Sequence, residues 1–409
     1  MSNVSSVVHN ELKRVFTTEW PVSRFGTHFF PSNERNGETP VGVPLSVSEH
    51  RGVVPRDNSD GGQQVSVDVS NYRVVRPGQL AANMMWLNFG GLGVSQHLGY
   101  ISPAYMAFDL DEVIWPAFAH YLLRSRPYIS AFAALGTGVR PNSQMVNFTL
   151  LSALPVPLPP LATQRAIADY LDRETGEIDA MLAKLEGLVG LLKERRKTQI
   201  INLLSHSSYS TKTARVGVVC DIIRRGMSPT YADDGVAVIN QKCIRPGGWI
   251  DLQYIKYHSD RDKTPAPELF VQTGDILVCS TGDGTLGRSA IWRDAPAQVI
   301  FDSHVTIVRP FSSRVVPTYL AAVIAANESE FIRLSHGSTK QTELARDTVS
   351  ETTLPLPPLD EQERIVAHLD ESTARIDRMI AKAHQLRDLL TERRSALITA
   401  AVTGQIEIG

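Results

Sequence analysis

The sequence predicts an α/β (α+β) fold built twice over. Two globular domains are separated by two long helices, which pair as an antiparallel intramolecular coiled coil with a pseudo-twofold internal repeat. Three observations carry this. Residues 157–196 and 355–394 align without a gap at a constant offset of 198, and 21 of their 40 positions are identical. Unrelated stretches of average composition would share roughly two or three. Each copy holds apolar residues at seven-residue spacing, the mark of a coiled-coil seam. Each copy also follows a variable segment of about 150 residues in which short strand-like runs are broken by glycine and proline.

The duplication sets the boundaries: a first domain over 1–156, a first conserved region (Pro-rich entry plus long helix) over 157–207, a second domain over 208–354 and a second conserved region over 355–409. A chain of 409 residues, 43% hydrophobic and 21% charged, can bury a core in each domain. No apolar run reaches the roughly 18 residues of a membrane span. The first residues lack the basic and apolar regions of a secretion signal. Cys220, Cys243 and Cys279 are odd in number and form no C-x-x-C pair, which points to a reducing, cytoplasmic setting and to neither a zinc site nor a disulfide framework. The net charge of −2 weighs mildly against a nucleic-acid binder, although DNA needs only one basic face.

In the first variable segment, residues 64–69 alternate as a strand would, and residues 111–125 read as a helix with Pro116 at a boundary or kink. In the second, strand-like runs fall at 216–223, 236–240, 275–280 and 305–310, and 316–334 reads as a helix. The two helical stretches stand at similar distances before their conserved regions, so the variable segments read as diverged copies of one domain. Each conserved region opens on a proline-rich stretch, 154–161 or 354–359, expected to be extended and close to polyproline II. A long helix follows. Its seam is Leu171, Ile178, Leu185 and Leu192 in the first copy, and Leu369, Ile376, Ala383 and Leu390 in the second. Met181/Leu182 and Leu188/Val189 lie between the first set, and Met379/Ile380, Leu386 and Leu389 between the second. Gly176, Gly187 and Gly190 cost helix propensity and would permit close helix approach. A helix of 40 residues spans roughly 60 Å, of the order of 18 base pairs of B-DNA.

Catalytic signatures are missing. The Pro-Pro pairs are flanked by leucines, not by the residues of an amino-methyltransferase motif. No P-loop, H-E-x-x-H or G-x-S-x-G occurs. Gly282-Asp-Gly284-Thr-Leu-Gly287 matches G-x-G-x-x-G, but Arg288–Trp292 reads on as a strand, so the better reading is a tight glycine turn between strands. No catalytic residue, metal site or cofactor is assigned to this chain.

The order of variable domain, PLPP-x-x-Q helix, variable domain and PLPP-x-x-Q helix resembles the specificity (S) subunit of Type I restriction–modification enzymes. The marks are Gln164 and Gln362, then Leu171-Asp172 and Leu369-Asp370, then Ile178-Asp179 and Ile376-Asp377. Gly90–Ser95 with Gly99–Tyr105, Gly274–Leu277 with Gly284–Gly287, and Gly138–Arg140 with Gly337–Lys340 add to the likeness. The resemblance implies two target recognition domains, each reading one half of a bipartite sequence in double-stranded DNA. It implies helices that set the spacing and dock two methyltransferase (modification) subunits, and it leaves room for a restriction subunit. S-adenosylmethionine for adenine-N6 methylation, and ATP/Mg for translocation, belong to those partners; the S subunit is not itself an enzyme. Candidate DNA contacts are Asn83, Trp86, Arg140, Asn142 and Gln144 in the first domain, and Ser280, Thr281, Arg288, Lys340 and Gln341 in the second. Glu194, Arg195 and Arg196 recur as Glu392, Arg393 and Arg394, either to dock the partner or as a solvated face. The alternative is a coiled-coil scaffold with two protein-binding heads and no DNA.

Overall fold

The computed structural model describes residues 2–49, 51–56, 66, 68–137, 145–205, 212–259, 264–282, 284–293, 298–335 and 343–408. The chain divides into two compact units, one of residues 1–186 with 384–409, the other of residues 187–383. Helices α6 (Leu161–Ser205) and α11 (Leu359–Val402) each contribute to both units.

The first unit opens with α1 (Ser2–Arg14). Strand β1 (Val22–Arg24) then pairs antiparallel with β10 (Pro155–Pro157), just ahead of α6. A four-stranded sheet has the order β2 (Phe29–Ser32), β9 (Met106–Leu110), β6 (Leu80–Ala82), β7 (Leu92–Val94). A second has the order β4 (Gly52–Pro55), β3 (Val43–Ser48), β8 (Gly99–Ile101), β5 (Arg73–Val75), with β3 and β8 parallel. Short helices α2 (Phe25–His28), α3 (Pro116–Leu123), α4 (Arg126–Leu135) and α5 (Phe148–Ser152) complete it. Phe25, Phe29, Phe108, Phe118, Tyr128 and Phe132 form one core with Ile167 and Leu171 of α6 and Ile398, Ala401 and Val402 of α11. Each Phe, Leu, Ile or Val among them contributes about 1.5–3 kcal/mol on burial.

The second unit repeats the plan. Strand β11 (Thr213–Arg215) pairs with β22 (Thr353–Pro355) ahead of α11. One sheet runs β12 (Cys220–Arg225), β21 (Val305–Pro310), β18 (Ile276–Cys279), β19 (Ser289–Ile291). The other runs β13 (Tyr231–Ala232), β17 (Lys256–His258), β14 (Val236–Ile239), β20 (Val299–Phe301), again with one parallel pair, β14 with β20. A hairpin of β15 (Ile244–Arg245) and β16 (Trp249–Ile250) is added. Helices α7 (Val216–Val219), α8 (Pro317–Ala326), α9 (Glu328–Ser335) and α10 (Arg346–Ser350) follow the order of α2 to α5. The core joins Val216, Tyr319, Leu320 and Phe331 to Leu204 of α6 and to Ile365 and Leu369 of α11.

The copies agree in detail. Gln79 Oε1 accepts from Arg76 N–H (2.8 Å) while its Nε2 donates across the sheet to Asp109 (2.6 Å). Asp275 does the same job in reversed polarity: it accepts from Gln272 N–H (2.6 Å) and from Arg309 Nε and Nη2 (2.8 and 2.7 Å). A Cβ on Gly26 would lie 2.7 Å from Ser152, and one on Gly217 would lie 2.3 Å from Ser350, so the same turn packs as closely in each unit.

The motif glutamines are buried staples. Gln164 Oε1 accepts from Trp115 N–H (2.7 Å), and its Nε2 donates to Val113 O and Pro159 O (both 2.9 Å). Gln362 Oε1 accepts from Val316 N–H and its Nε2 donates to Pro357 O (both 2.8 Å). Each thereby ties a long helix's first turn, where N–H groups lack intrahelical partners, to the residue just before α3 or α8.

The long helices pack antiparallel in each unit. In the first, Ile167 and Leu171 share a core with Ile398 and Val402, and Arg394 Nε donates to Asp179 further along (2.8 Å). In the second, Leu204 meets Ile365 and Leu369, and Arg196 Nε donates to Asp377 (2.8 Å). The two pairs are equivalents in the repeat, so Asp179 and Asp377 serve helix pairing. Leu171, Ile178, Leu192, Leu369, Ile376, Ala383 and Leu390 are buried; Leu185 is half-buried.

Several local expectations are corrected. The helix expected over 111–125 starts only at Pro116, which occupies its first turn, where the missing N–H costs nothing. The stretch 316–334 is two helices, parted at Asn327, whose Nδ2 donates back to Val323 O (2.8 Å). Residues 216–219 form a helical turn ahead of β12, because Gly217 packs onto Ser350 there and tertiary contact overrides the β-propensity of the valines. The proline-rich entries are partly laddered onto β1 and β11, not free polyproline II. Gly176, Gly187 and Gly190 have open space where a Cβ would stand, so they mediate no close helix approach. Of the run 64–69, Gln64, Val65 and Val67 lie outside the described residues, and Ser66, Asp68 and Val69 are not in a strand.

Candidate nucleic-acid interface

Both units present a turn where the third strand of the first sheet ends. In the first unit β6 runs out at Ala82. Asn83 Oδ1 accepts from Met85 N–H (3.2 Å), and Asn83 N–H donates to Gly91 O (2.8 Å). Val146 N–H donates to Met84 O (3.1 Å), holding the turn from the other side. Met85 and Trp86 are thereby left exposed, Trp86 at 42%, with its ring tilted against Phe89 (5.2 Å). A Cβ on Gly91 would lie 2.9 Å from Trp86 Cβ, so glycine there lets the tryptophan turn close up.

In the second unit β18 runs out at Cys279. Leu344 N–H donates to Ser280 O (2.8 Å), the counterpart of the Val146–Met84 bond. Ser280 itself is buried, its Oγ 2.5 Å from Thr306 Oγ1. Thr281 is half-buried and pairs with His304 Nδ1 (2.7 Å). Gly282, Gly284 and Gly287 follow with φ of +100°, +74° and +79°. All three occupy the left-handed region that favours glycine. Arg288 Nη2 donates to Gly284 O (2.6 Å) and Nη1 to Ile244 O (3.4 Å), clamping the turn. The chain continues as β19, as expected of a turn between strands.

Beside this turn lies a polar cluster that the sequence did not reveal. Tyr231 OH donates to Asp302 Oδ2 (3.1 Å), and His304 N–H donates to Asp302 Oδ1 (3.0 Å). Burial pushes the Asp302 carboxyl above its ordinary range and, with Asp302 beside it, pushes the Tyr231 hydroxyl up to about 12. Lys256 Nζ stands 4.3 Å over the Tyr231 ring. Cross-strand register brings these groups together, since Tyr231 pairs with His258 and Lys256 lies two residues away on the same face. No short sequence motif encodes that.

Among the described residues no three His, Cys, Asp or Glu side chains gather as a metal site, and no helix is long and apolar enough to cross a membrane.

The model of the Type I restriction modification DNA specificity domain matches residues 216–386. The StySPI specificity subunit of Salmonella potsdam is 22% identical over 317 residues, 72% of this chain and 66% of that protein. The EcoBI specificity subunit of Escherichia coli is 30% identical over 145 residues, 34% of this chain and 28% of that protein. These alignments span less than two thirds of the relatives' own lengths. A solved chain from work on complex assembly and conformational transition of the type I R-M system superposes with a TM-score of 0.68 at 18% identity, covering 96% of this chain and 99% of that one. Residues 216–386 thus match the Type I specificity domain, and the chain is similar over most of its length to Type I specificity subunits.

The ten candidate contacts fall in three groups. Arg140, Asn142, Gln144, Lys340 and Gln341 lie outside the described residues. The stretches that hold them, 138–144 and 336–342, are equivalent in the repeat. Each is bounded by a bridge next to the turn: Thr137 with Met145, and Thr281 with Glu343, which also pairs with Arg225. Trp86 and Thr281 reach the surface at the turns. Asn83 Oδ1 and the Arg288 Nη atoms bond backbone at the turns, and Ser280 is buried with its Oγ against Thr306.

Proposed function

We propose that each variable domain of this chain reads one half of a bipartite target in double-stranded DNA. One observation carries the reading. Equivalent turns, held by equivalent backbone bonds, carry different residues: exposed Met85 and Trp86 in one unit, half-buried Thr281 and Gly282 in the other. A common frame with altered surface suits two readers of unlike sequence. The domains are 1–156 and 208–354, with 157–207 and 355–409 as the conserved regions.

The helices set the gap between the half-sites and dock two methyltransferase subunits. Support comes from six exposed apolar residues that recur identically: Met181, Leu188 and Leu191 in α6, Met379, Leu386 and Leu389 in α11. Leu191 is 72% exposed and Leu389 63%. Exposed leucines repeated at the same register mark a surface that a partner covers. S-adenosylmethionine, and ATP where a restriction subunit joins, are assigned to those partners.

The test is assembly with the methyltransferase subunit, titration with duplex DNA across a salt series, and methylome sequencing of cells with and without the gene. The expected outcome is salt-dependent binding and loss of one bipartite adenine-methylation motif on deletion. Binding without salt dependence, or an unchanged methylome, sinks the reading and leaves a protein scaffold.

A further inference from the structure

We propose that the β15–β16 hairpin of the second unit enters a groove of duplex DNA, with Arg245 and Trp249 making the contact and Tyr254 holding Arg245 ready. This deepens the DNA-recognition reading and rests on it.

The hairpin has a fixed base and an open tip. Cys243 and Ile244 are fully buried, and Asp251 N–H donates to Cys243 O (2.8 Å). Arg288, the clamp of the glycine turn, also donates to Ile244 O, so the hairpin is continuous with the candidate interface. At the tip, Pro246-Gly247-Gly248 turns the chain with φ of +95° and +82° at the glycines, and a Cβ on Gly247 would meet nothing within 4 Å. Arg245 and Trp249 are direct cross-strand partners just behind the tip. Trp249 is 54% exposed, and Tyr254 is 38% exposed with the Arg245 guanidinium 5.1 Å from its ring centroid.

An exposed indole, paired with a guanidinium already stacked on an aromatic face, is costly in water and useful in a complex. Stacking removes rotamer freedom before binding, so less is lost when the fork engages its target. The chemistry favours nucleic acid. A two-stranded ribbon fits the major groove, and a planar fork matches the N7 and O6 acceptors of guanine. Lys242 and Lys256 are exposed in the same stretch. The nearby Asp251 carboxylate is engaged locally, accepting from Gln253 N–H (3.3 Å) and Nε2 (2.6 Å).

The test uses the complex with the methyltransferase subunit, a duplex carrying the motif recovered by methylome sequencing, and a scrambled duplex. Arg245→Ala and Trp249→Ala should each weaken binding of the target duplex about tenfold or more. Trp249→Phe, which keeps a stacking face, should stay within about threefold. Melting temperature and methyltransferase assembly should match the parent chain. If the parent complex discriminates the two duplexes and both alanine variants do so equally well, the hairpin proposal is overturned. Weakened assembly with unchanged DNA affinity overturns it too, and makes the hairpin a protein contact. A parent complex that fails to discriminate removes the DNA-recognition reading and the hairpin with it.

Discussion

Gln164 and Gln362 show what a motif residue is for. Each is buried, and each satisfies backbone groups from two segments far apart in sequence. Gln164→Ala would strand Trp115 N–H together with two carbonyls, at about 1–3 kcal/mol for a buried group left unpaired. Chemical denaturation should show a loss of about 2–4 kcal/mol, with Gln362→Ala similar in the second unit. Asp275 and Arg309 form a tighter case, since removing one partner of a buried pair costs about 3–5 kcal/mol. His120 makes stability depend on pH. Its Nδ1 accepts from Val94 N–H (3.2 Å), and burial, with the Arg124 and Arg394 guanidinium groups nearby, lowers its pKa to about 4. Between an ordinary pKa near 6.5 and that value, the unfolded chain binds the proton and the folded chain does not. Stability is therefore fully present above about pH 6.5 and falls as the pH drops toward 4. The loss should reach about 2 kcal/mol at pH 5. His120→Asn, which can still accept from Val94, should flatten that slope, as a denaturation series across pH will read.

The elements differ in how openly the sequence declares them. The long helices were legible because a seven-residue pattern over forty residues is a strong signal, and because the chain states it twice. Their partnership was legible too, since each carries an apolar seam that needs cover; the pairing of Arg196 with Asp377 and of Arg394 with Asp179 was not, the arginines having read as a docking or solvated face. The strands were harder. Those of the described sheets run from two to six residues, and β13, β15 and β16 are held by pairing that no local propensity encodes. The turn at 216–219 shows the reverse error, valines drawn into a helical turn by one close glycine contact. For the site, the glycine turn was legible from its spacing. Tyr231, Asp302 and Lys256 were not, because register alone brings them together. The helices also carry what the seam pattern concealed. Met181, Leu188, Met379 and Leu386 stand beside seam positions yet face solvent. Leu188→Asp with Leu386→Asp should leave the melting temperature within about 2 °C, as surface changes usually do, and should abolish copurification of the methyltransferase subunit. Retained assembly at unchanged stoichiometry would move the docking surface elsewhere.

At the scale of the whole chain, the proposed function has the duplication separate what is read from how far apart it is read. Each head has its own core, its own turn and its own pair of entry strands, β1 with β10 or β11 with β22. Replacing residues 1–156 with another head should therefore change one half of the methylated motif and leave the other half intact. The gap obeys different physics. Extending a helix by seven residues adds about 10 Å, roughly three base pairs of B-form DNA. It also keeps the seam in register, because the apolar pattern repeats every seven. Inserting one heptad in α6 and the matching heptad in α11 preserves the pairing of Asp179 with Arg394 and of Arg196 with Asp377. Methylome sequencing should then show the same two half-sites with a longer gap. A two-residue insertion in both helices rotates the following seam residues by about 200°, to the far face of each helix, and should cost stability and methylation together. If the heptad variant assembles and methylates at the parental spacing, the helices do not set the gap, and the heads alone must determine it.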